Sequence, residues 1–129
     1  MRFLALLVAV LAVSILSVAA EEDAAAGQAI IRSQEEAFSR DDAAAAYTLA
    51  APGIKSAFQT PDIFMSMVRN GYAPVYRHRS FEFGEGKIYQ QVHIIDASGD
   101  AWEALYTREP QPDGTFKISG CVLKKAVTS

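Results

Sequence analysis

The sequence predicts an α+β domain in which three N-terminal helices pack on a four-stranded antiparallel meander. Apolar residues recur at helical spacing up to Pro74 and alternate with polar residues, as in a strand, after it. Short turns separate the later segments, so that neighbouring strands are expected to pair antiparallel. A chain of 129 residues, of which 50% are apolar, is sufficient for one hydrophobic core. We therefore expect a single domain.

The first twenty residues are typical of a secretory signal peptide. Arg2 supplies a positive charge, residues 3–16 are apolar except for one serine, and small residues follow before the chain becomes acidic. We expect cleavage after Ala19 or Ala20, which leaves residues 21–129 as a domain in the periplasm or outside the cell. As a helix, eighteen residues of the leader would span only about 27 Å, which is marginal for a bilayer. We expect no membrane association after cleavage.

Three helices are expected before Pro74. The first carries apolar residues on one stripe, the second covers residues 43–50 behind a cap at Asp41 or Asp42, and the third begins at a Thr60 cap. The third helix is expected to end in a left-handed turn at residues 70–71. Its apolar stripe is predicted to comprise Ile63, Phe64, Met67 and Val68.

Four strands are expected after Pro74, near residues 81–83, 89–95, 101–108 and 116–123. A two-residue turn at Ser98 and Gly99 would place Ile95 opposite Trp102. One face of the sheet would then carry Gln91, His93, Trp102, Tyr106 and Ile118, and the other Val92, Ile94, Leu105, Cys121 and Leu123. Both faces are largely apolar and one layer of helices covers only one of them, so we expect a homodimer through the remaining face.

Helices followed by such a meander resemble the cone-shaped fold, with a curved sheet, of nuclear transport factor 2, ketosteroid isomerase and the polyketide cyclases. The segment IRSQEEAFSRDDAAAAY (31–47) resembles the opening helices of that superfamily. The segments YTLAAP (47–52), TPDIFMSMVRNGYAPVYR (60–77) and ISGCVL (118–123) resemble a family of exported bacterial domains of unknown function. The resemblance implies the fold and brings no assigned activity, because this fold hosts enzymes, carriers and adaptors alike.

Composition and motifs disfavour several classes of function. The net charge of −3 argues against nucleic-acid binding, and the two histidines, His78 and His93, lack the spacing of metal ligands. The sequence has no phosphate loop, dinucleotide fingerprint or Gly-x-Ser-x-Gly elbow, so we expect neither a metal nor a cofactor. Cys121 is the single cysteine and is predicted to be a buried, unreactive thiol in the last strand.

The expected function is that of a small-ligand-binding or accessory module. Aromatic rings with polar tips and arginine forks suit a pocket or its mouth. One alternative is a cofactor-free isomerase, lyase or hydrolase that uses a tyrosine with Glu103 or Asp96, and another is an interaction domain with a filled core. Catalytic residues are not assigned. The candidate ligand-binding residues are Tyr47, Tyr72, Tyr76, Arg77, Gln91, His93, Trp102 and Tyr106.

Export of the chain is directly testable. The charge, apolar length and small-residue end of the leader predict that the mature protein begins at Ala20 or Glu21. N-terminal sequencing of the protein recovered from the periplasm or medium checks this. A recovered chain that still begins at Met1 would show that the leader is retained.

Overall fold

The computed structural model describes residues 2–86 and 88–126, with side chains from Glu21 onward, so the side chains of the predicted leader lie outside the described part. No helix formed by the residues described with their side chains is long and apolar enough to cross a membrane. The elements are α1 (Arg2–Ser39), α2 (Ala43–Thr48), α3 (Pro52–Ala57), α4 (Pro61–Gly71), α5 (Ala73–Tyr76), β1 (His78–Gly86), β2 (Gln90–Asp96), β3 (Ala101–Pro110) and β4 (Phe116–Lys125).

The α+β class and the antiparallel order β1-β2-β3-β4 are confirmed. The expected number of helices before the sheet was wrong, because the described residues form five helices rather than three. The additional helices α3 and α5 comprise six and four residues, which is too short for a helical repeat to show in the sequence. Each has a proline in its first turn, where the fixed φ of proline favours a helix instead of ending one.

The predicted helix caps are present. Asp42 Oδ1 accepts a hydrogen bond from Ala45 N at 3.0 Å, and Thr60 Oγ1 accepts one from Ile63 N at 3.1 Å. The left-handed turn expected at residues 70–71 was wrong, since Gly71 lies inside α4 and α5 follows almost immediately.

The apolar stripe of α4 also differs from the expectation. Ile63 is 52% exposed, whereas Met65 is 3% exposed and belongs to the core. Phe64 and Val68 are buried as predicted. Because α4 packs against both α2 and α5, its buried surface is wider than one stripe and rotated away from Ile63.

The register of β2 and β3 differs by one residue from the predicted one. Asp96 N donates to Asp100 O at 2.9 Å, so the loop has three residues, and Gly99 adopts a left-handed φ of 91° at its end. Ile94 therefore lies opposite Trp102, and Gln90 opposite Tyr106. A shift of one residue moves a strand's side chains to the other face. The predicted composite face of five residues is thus split between two faces.

One face of the sheet packs on the helices and forms the core. It contributes Val92, Ile94, Ala104 and Tyr106, all at most 3% exposed, which pack with residues of α1 such as Phe38. The opposite face, here called the outer face, carries Gln91, His93, Glu103, Leu105 and Val122. In the described part of the chain, the helices pack on the first face, as expected for one helical layer.

Backbone pairing fixes the helices to the end of the sheet. Ala51 N donates to Ile118 O at 2.8 Å, and Ile118 N donates to Leu49 O at 2.9 Å. The α2–α3 connection therefore covers part of β4, which is an edge strand, and holds α3 over the sheet. At β1, the opposite edge strand of the sheet, His78 Nε2 lies 2.5 Å from Glu35 Oε2 and joins this strand to α1.

The turn at Gly99 predicts an asymmetric response to alanine. Gly99→Ala should destabilise the domain by about 1–2 kcal/mol, because a Cβ is strained at this φ. Gly53→Ala in α3 is the matched control, since nothing lies within 4 Å of its added Cβ, and should be neutral or stabilising by less than about 1 kcal/mol. Urea unfolding measures both variants. Equal changes in the free energy of unfolding for Gly99→Ala and Gly53→Ala would contradict the importance of this turn.

Candidate functional site

A partly open cavity of about 230 Å³ lies between the helices and the inner face of the sheet. Helices α1, α3, α4 and α5 supply its roof, and β3 and β4 supply its floor. Most of the lining is apolar, with aromatic rings on one side. The lining residues are Gln34, Phe38, Ile54, Phe58, Phe64, Met67, Val68, Tyr72, Val75, Tyr106, Ile118, Gly120 and Cys121.

The aromatic wall of the cavity is built by packing between helices. The Phe64 ring centroid lies 6.1 Å from that of Phe38 and 6.4 Å from that of Phe58. Tyr47 supports this wall from α2, with its ring centroid 5.7 Å from Phe64 and its hydroxyl donating to Phe58 O at 2.7 Å. Tyr47 thus orders the wall and does not line the cavity.

Four polar groups enter the cavity from three directions. Gln34 lies on α1 and is 4% exposed, with Nε2 donating to Ala46 O at 3.2 Å. The Tyr72 hydroxyl donates to Cys121 O at 3.0 Å. Tyr106, on β3, is 3% exposed and is paired across the sheet with Cys121. The site therefore offers two hydroxyls, a thiol and an amide within an apolar lining.

Burial keeps the titratable lining groups protonated. It raises the pKa of Tyr106 well above its ordinary value and, to a smaller degree, raises the pKa of Tyr72. Burial also raises the pKa of the Cys121 thiol to about 12, although the Tyr106 side chain partly offsets this. At neutral pH the three groups are therefore neutral hydrogen-bond donors, and the thiol is not a nucleophile.

A second, more open depression of about 640 Å³, here called the outer groove, runs between the α4–α5 segment and the turn from β2 to β3. Four of the predicted site residues line it, namely Tyr72, Tyr76, Arg77 and Trp102. Tyr72 also lines the cavity, so its side chain is a wall shared by the cavity and the outer groove.

Arg77 is occupied by contacts within the protein. Its Nη2 lies 2.8 Å from Asp41 Oδ2, and its Nη1 donates to Phe38 O at 2.8 Å. The Tyr76 hydroxyl donates to the same Asp41 carboxylate, and this bond, together with Arg77, lowers the pKa of Asp41. The guanidinium also stacks at 3.9 Å on the Tyr76 ring. Arg77 thus fixes the wall of the outer groove rather than presenting a free fork to an anion.

The other candidate residues are dispersed. Gln91 and His93 lie on the outer face, where Gln91 Nε2 donates to Glu103 Oε1 at 2.6 Å and His93 is exposed, so neither reaches the cavity. Trp102 lies on the inner face and donates its Nε1 to Asp96 Oδ2 at 2.8 Å. The register shift described above separates Trp102 and Tyr106 from Gln91 and His93.

The carboxylates considered for catalysis lie away from the cavity. Glu103 is on the outer face, and Asp96 accepts hydrogen bonds from the turn amides of Ser98 and Asp100 as well as from Trp102. These bonds, with Trp102 the largest contributor, lower the pKa of Asp96 and keep it ionised. In residues 21–86 and 88–126, no three His, Cys, Asp or Glu side chains cluster as a metal site would require.

Sequence reasoning missed Gln34 as a site residue. The sequence does contain an indication, because Gln34 stands among the apolar residues of the α1 stripe. A polar side chain buried at such a position needs a hydrogen-bond partner.

The raised pKa of Cys121 predicts slow alkylation. At pH 8, iodoacetamide should modify the native thiol at least about 100-fold more slowly than the thiol in denaturant, because the thiolate is the reactive form. The native rate should keep rising above pH 9 without a plateau, since the pKa is about 12. Mass spectrometry of quenched samples follows the reaction. Rapid native labelling with a plateau near pH 8 would contradict this environment.

The sequence of the chain matches one known protein family. The family described as "Domain of unknown function (DUF4864)" matches residues 20–129, which is most of the chain. No curated protein and no solved structure matches the chain significantly. The match includes every element that builds the cavity and the outer groove. The chain therefore belongs to the DUF4864 family of domains of unknown function.

Proposed function

We propose that this domain binds a small molecule in the cavity between its helices and its sheet. The observation that carries the proposal is the cavity itself, about 230 Å³ of mostly apolar space with two tyrosine hydroxyls in its lining. Binding sites for small molecules combine an apolar lining with a few placed polar groups. Because an apolar cavity of about 150 Å³ admits benzene, this cavity has room for a substituted single ring.

The cavity favours ligand binding over a filled-core interaction domain. Protein interiors are packed about as densely as organic crystals, and unfilled space lowers stability in proportion to its volume. The wall is nevertheless ordered by specific contacts, such as the Tyr47 hydroxyl on Phe58 O. A cavity whose wall is ordered by specific contacts supports a role in ligand binding.

Export of the domain is part of the same proposal. It rests on the leader, and the family match begins at residue 20, which lies at the predicted cleavage site. We also propose that the fold is of the cone-shaped type of nuclear transport factor 2. Its support is a four-stranded meander with helices on one face and a cavity between the two layers.

We also propose a homodimer that forms through the outer face of the sheet. This face carries Leu105 and Val122, the latter 60% exposed, and the neighbouring Tyr89 is 52% exposed. Trp102 and Tyr106, which the sequence placed on one face with Gln91 and His93, lie on the inner face and are not part of this seam.

If the cavity is the binding site, a larger side chain that fills it should weaken ligand binding. Val68 lines the cavity from α4, so Val68→Phe should place a ring in the space and reduce binding of ethylbenzene at least tenfold. Ile63→Phe is the control, since Ile63 lies on the same helix but is exposed. Heteronuclear NMR titration measures affinity, and circular dichroism confirms folding.

Two outcomes would contradict this site. One is the absence of ethylbenzene binding to the unmodified domain, and the other is binding to Val68→Phe as tight as binding to Ile63→Phe. Either result would show that the cavity is not a binding site.

A further inference from the structure

We infer that the cavity selects an uncharged ligand of about single-ring size whose oxygen atom accepts a hydrogen bond from the Tyr106 hydroxyl. This inference rests on the proposed function and deepens it, because it names the chemical class of the ligand. Two features of the site carry it: the lining has no charged residue, and the Gln34 and Tyr72 donors already serve backbone oxygens.

None of the lining residues carries a charge at neutral pH. Moving an ion from water into such surroundings is costly unless an opposite charge meets it. Arg77 does not supply that charge, since it lines the outer groove rather than the cavity and is paired with Asp41. A carboxylate or phosphate ligand would therefore lose its hydration without compensation.

Among the donors in the cavity, Tyr106 has the weakest existing partner. Gln34 Nε2 already donates to a backbone oxygen, and so does the Tyr72 hydroxyl. Tyr106 instead lies directly opposite Cys121 of the neighbouring strand, and sulfur is a weak acceptor. A carbonyl or ether oxygen from a ligand would be a better acceptor for this hydroxyl, at a site shielded from water.

Three molecules of similar shape test this class: ethylbenzene, acetophenone and benzoate. At pH 7 the unmodified domain should bind acetophenone at least tenfold more tightly than benzoate, because only benzoate is charged. Tyr106→Phe should weaken acetophenone binding about three- to tenfold and leave ethylbenzene binding unchanged, since it removes one hydrogen bond. Tyr89→Phe is the control, because Tyr89 is 52% exposed and does not line the cavity.

The outcomes separate this inference from the proposed function. Benzoate binding as tight as that of acetophenone, or acetophenone binding unaffected by Tyr106→Phe, would overturn the ligand class while ethylbenzene still shows a site. If neither ethylbenzene nor acetophenone binds the unmodified domain, the proposed function itself is overturned. If Tyr106→Phe does not fold, the comparison of benzoate with acetophenone on the unmodified domain decides the question.

Discussion

The pairing of β2 with β3 is the constraint on which the site depends. The turn between the two strands has three residues, and its Gly99 takes the left-handed conformation. The Asp96 carboxylate accepts hydrogen bonds from two backbone amides of this turn. This geometry sets Val92 opposite Ala104 and directs both toward the helices. The same register places Tyr106 under α1 and α4, where it lines the cavity. A turn shorter by one residue would instead place Gln91 and His93 on the same face as Tyr106, with Leu105 on the opposite face.

The cavity follows from how the short helices are held above this face. Residues 49–51 pair with β4 at Ile118, and this contact fixes the start of α3. The Asp41 carboxylate, just after α1, accepts hydrogen bonds from Tyr76 at the end of α5 and from Arg77 directly after it. These contacts hold the helical layer, while the side chains that line the cavity leave space. The tyrosine hydroxyls that face this space are neutral because burial disfavours their ionised forms.

Much of the architecture could be predicted from the sequence, because periodicity and capping are local properties. Asp42 and Thr60 cap helices as their side chains predicted, and the meander order followed from the short turns. The helices α3 and α5 could not be predicted, since they are too short for a repeat and begin near prolines that usually mark breaks.

The site was predicted less well than the fold, because it depends on long-range placement. Tyr72 and Tyr106 do line the cavity, but Gln91 and His93 were assigned to it through a register that was wrong by one residue. An arginine next to a tyrosine predicts a guanidinium at the mouth of a pocket, and only the three-dimensional contact with Asp41 shows that Arg77 is engaged within the protein. No local pattern in the sequence encodes that pair, which is separated by 36 residues.

The central claim is that ordered, accessible, mostly apolar space lies beside Tyr106. Xenon enters such space in protein crystals and scatters strongly, so a crystal of the domain pressurised with xenon tests the claim directly. The account predicts a xenon peak among Phe64, Val68 and Tyr106, with little movement of the surrounding side chains. Side chains that close the space, with no xenon bound there, would contradict it.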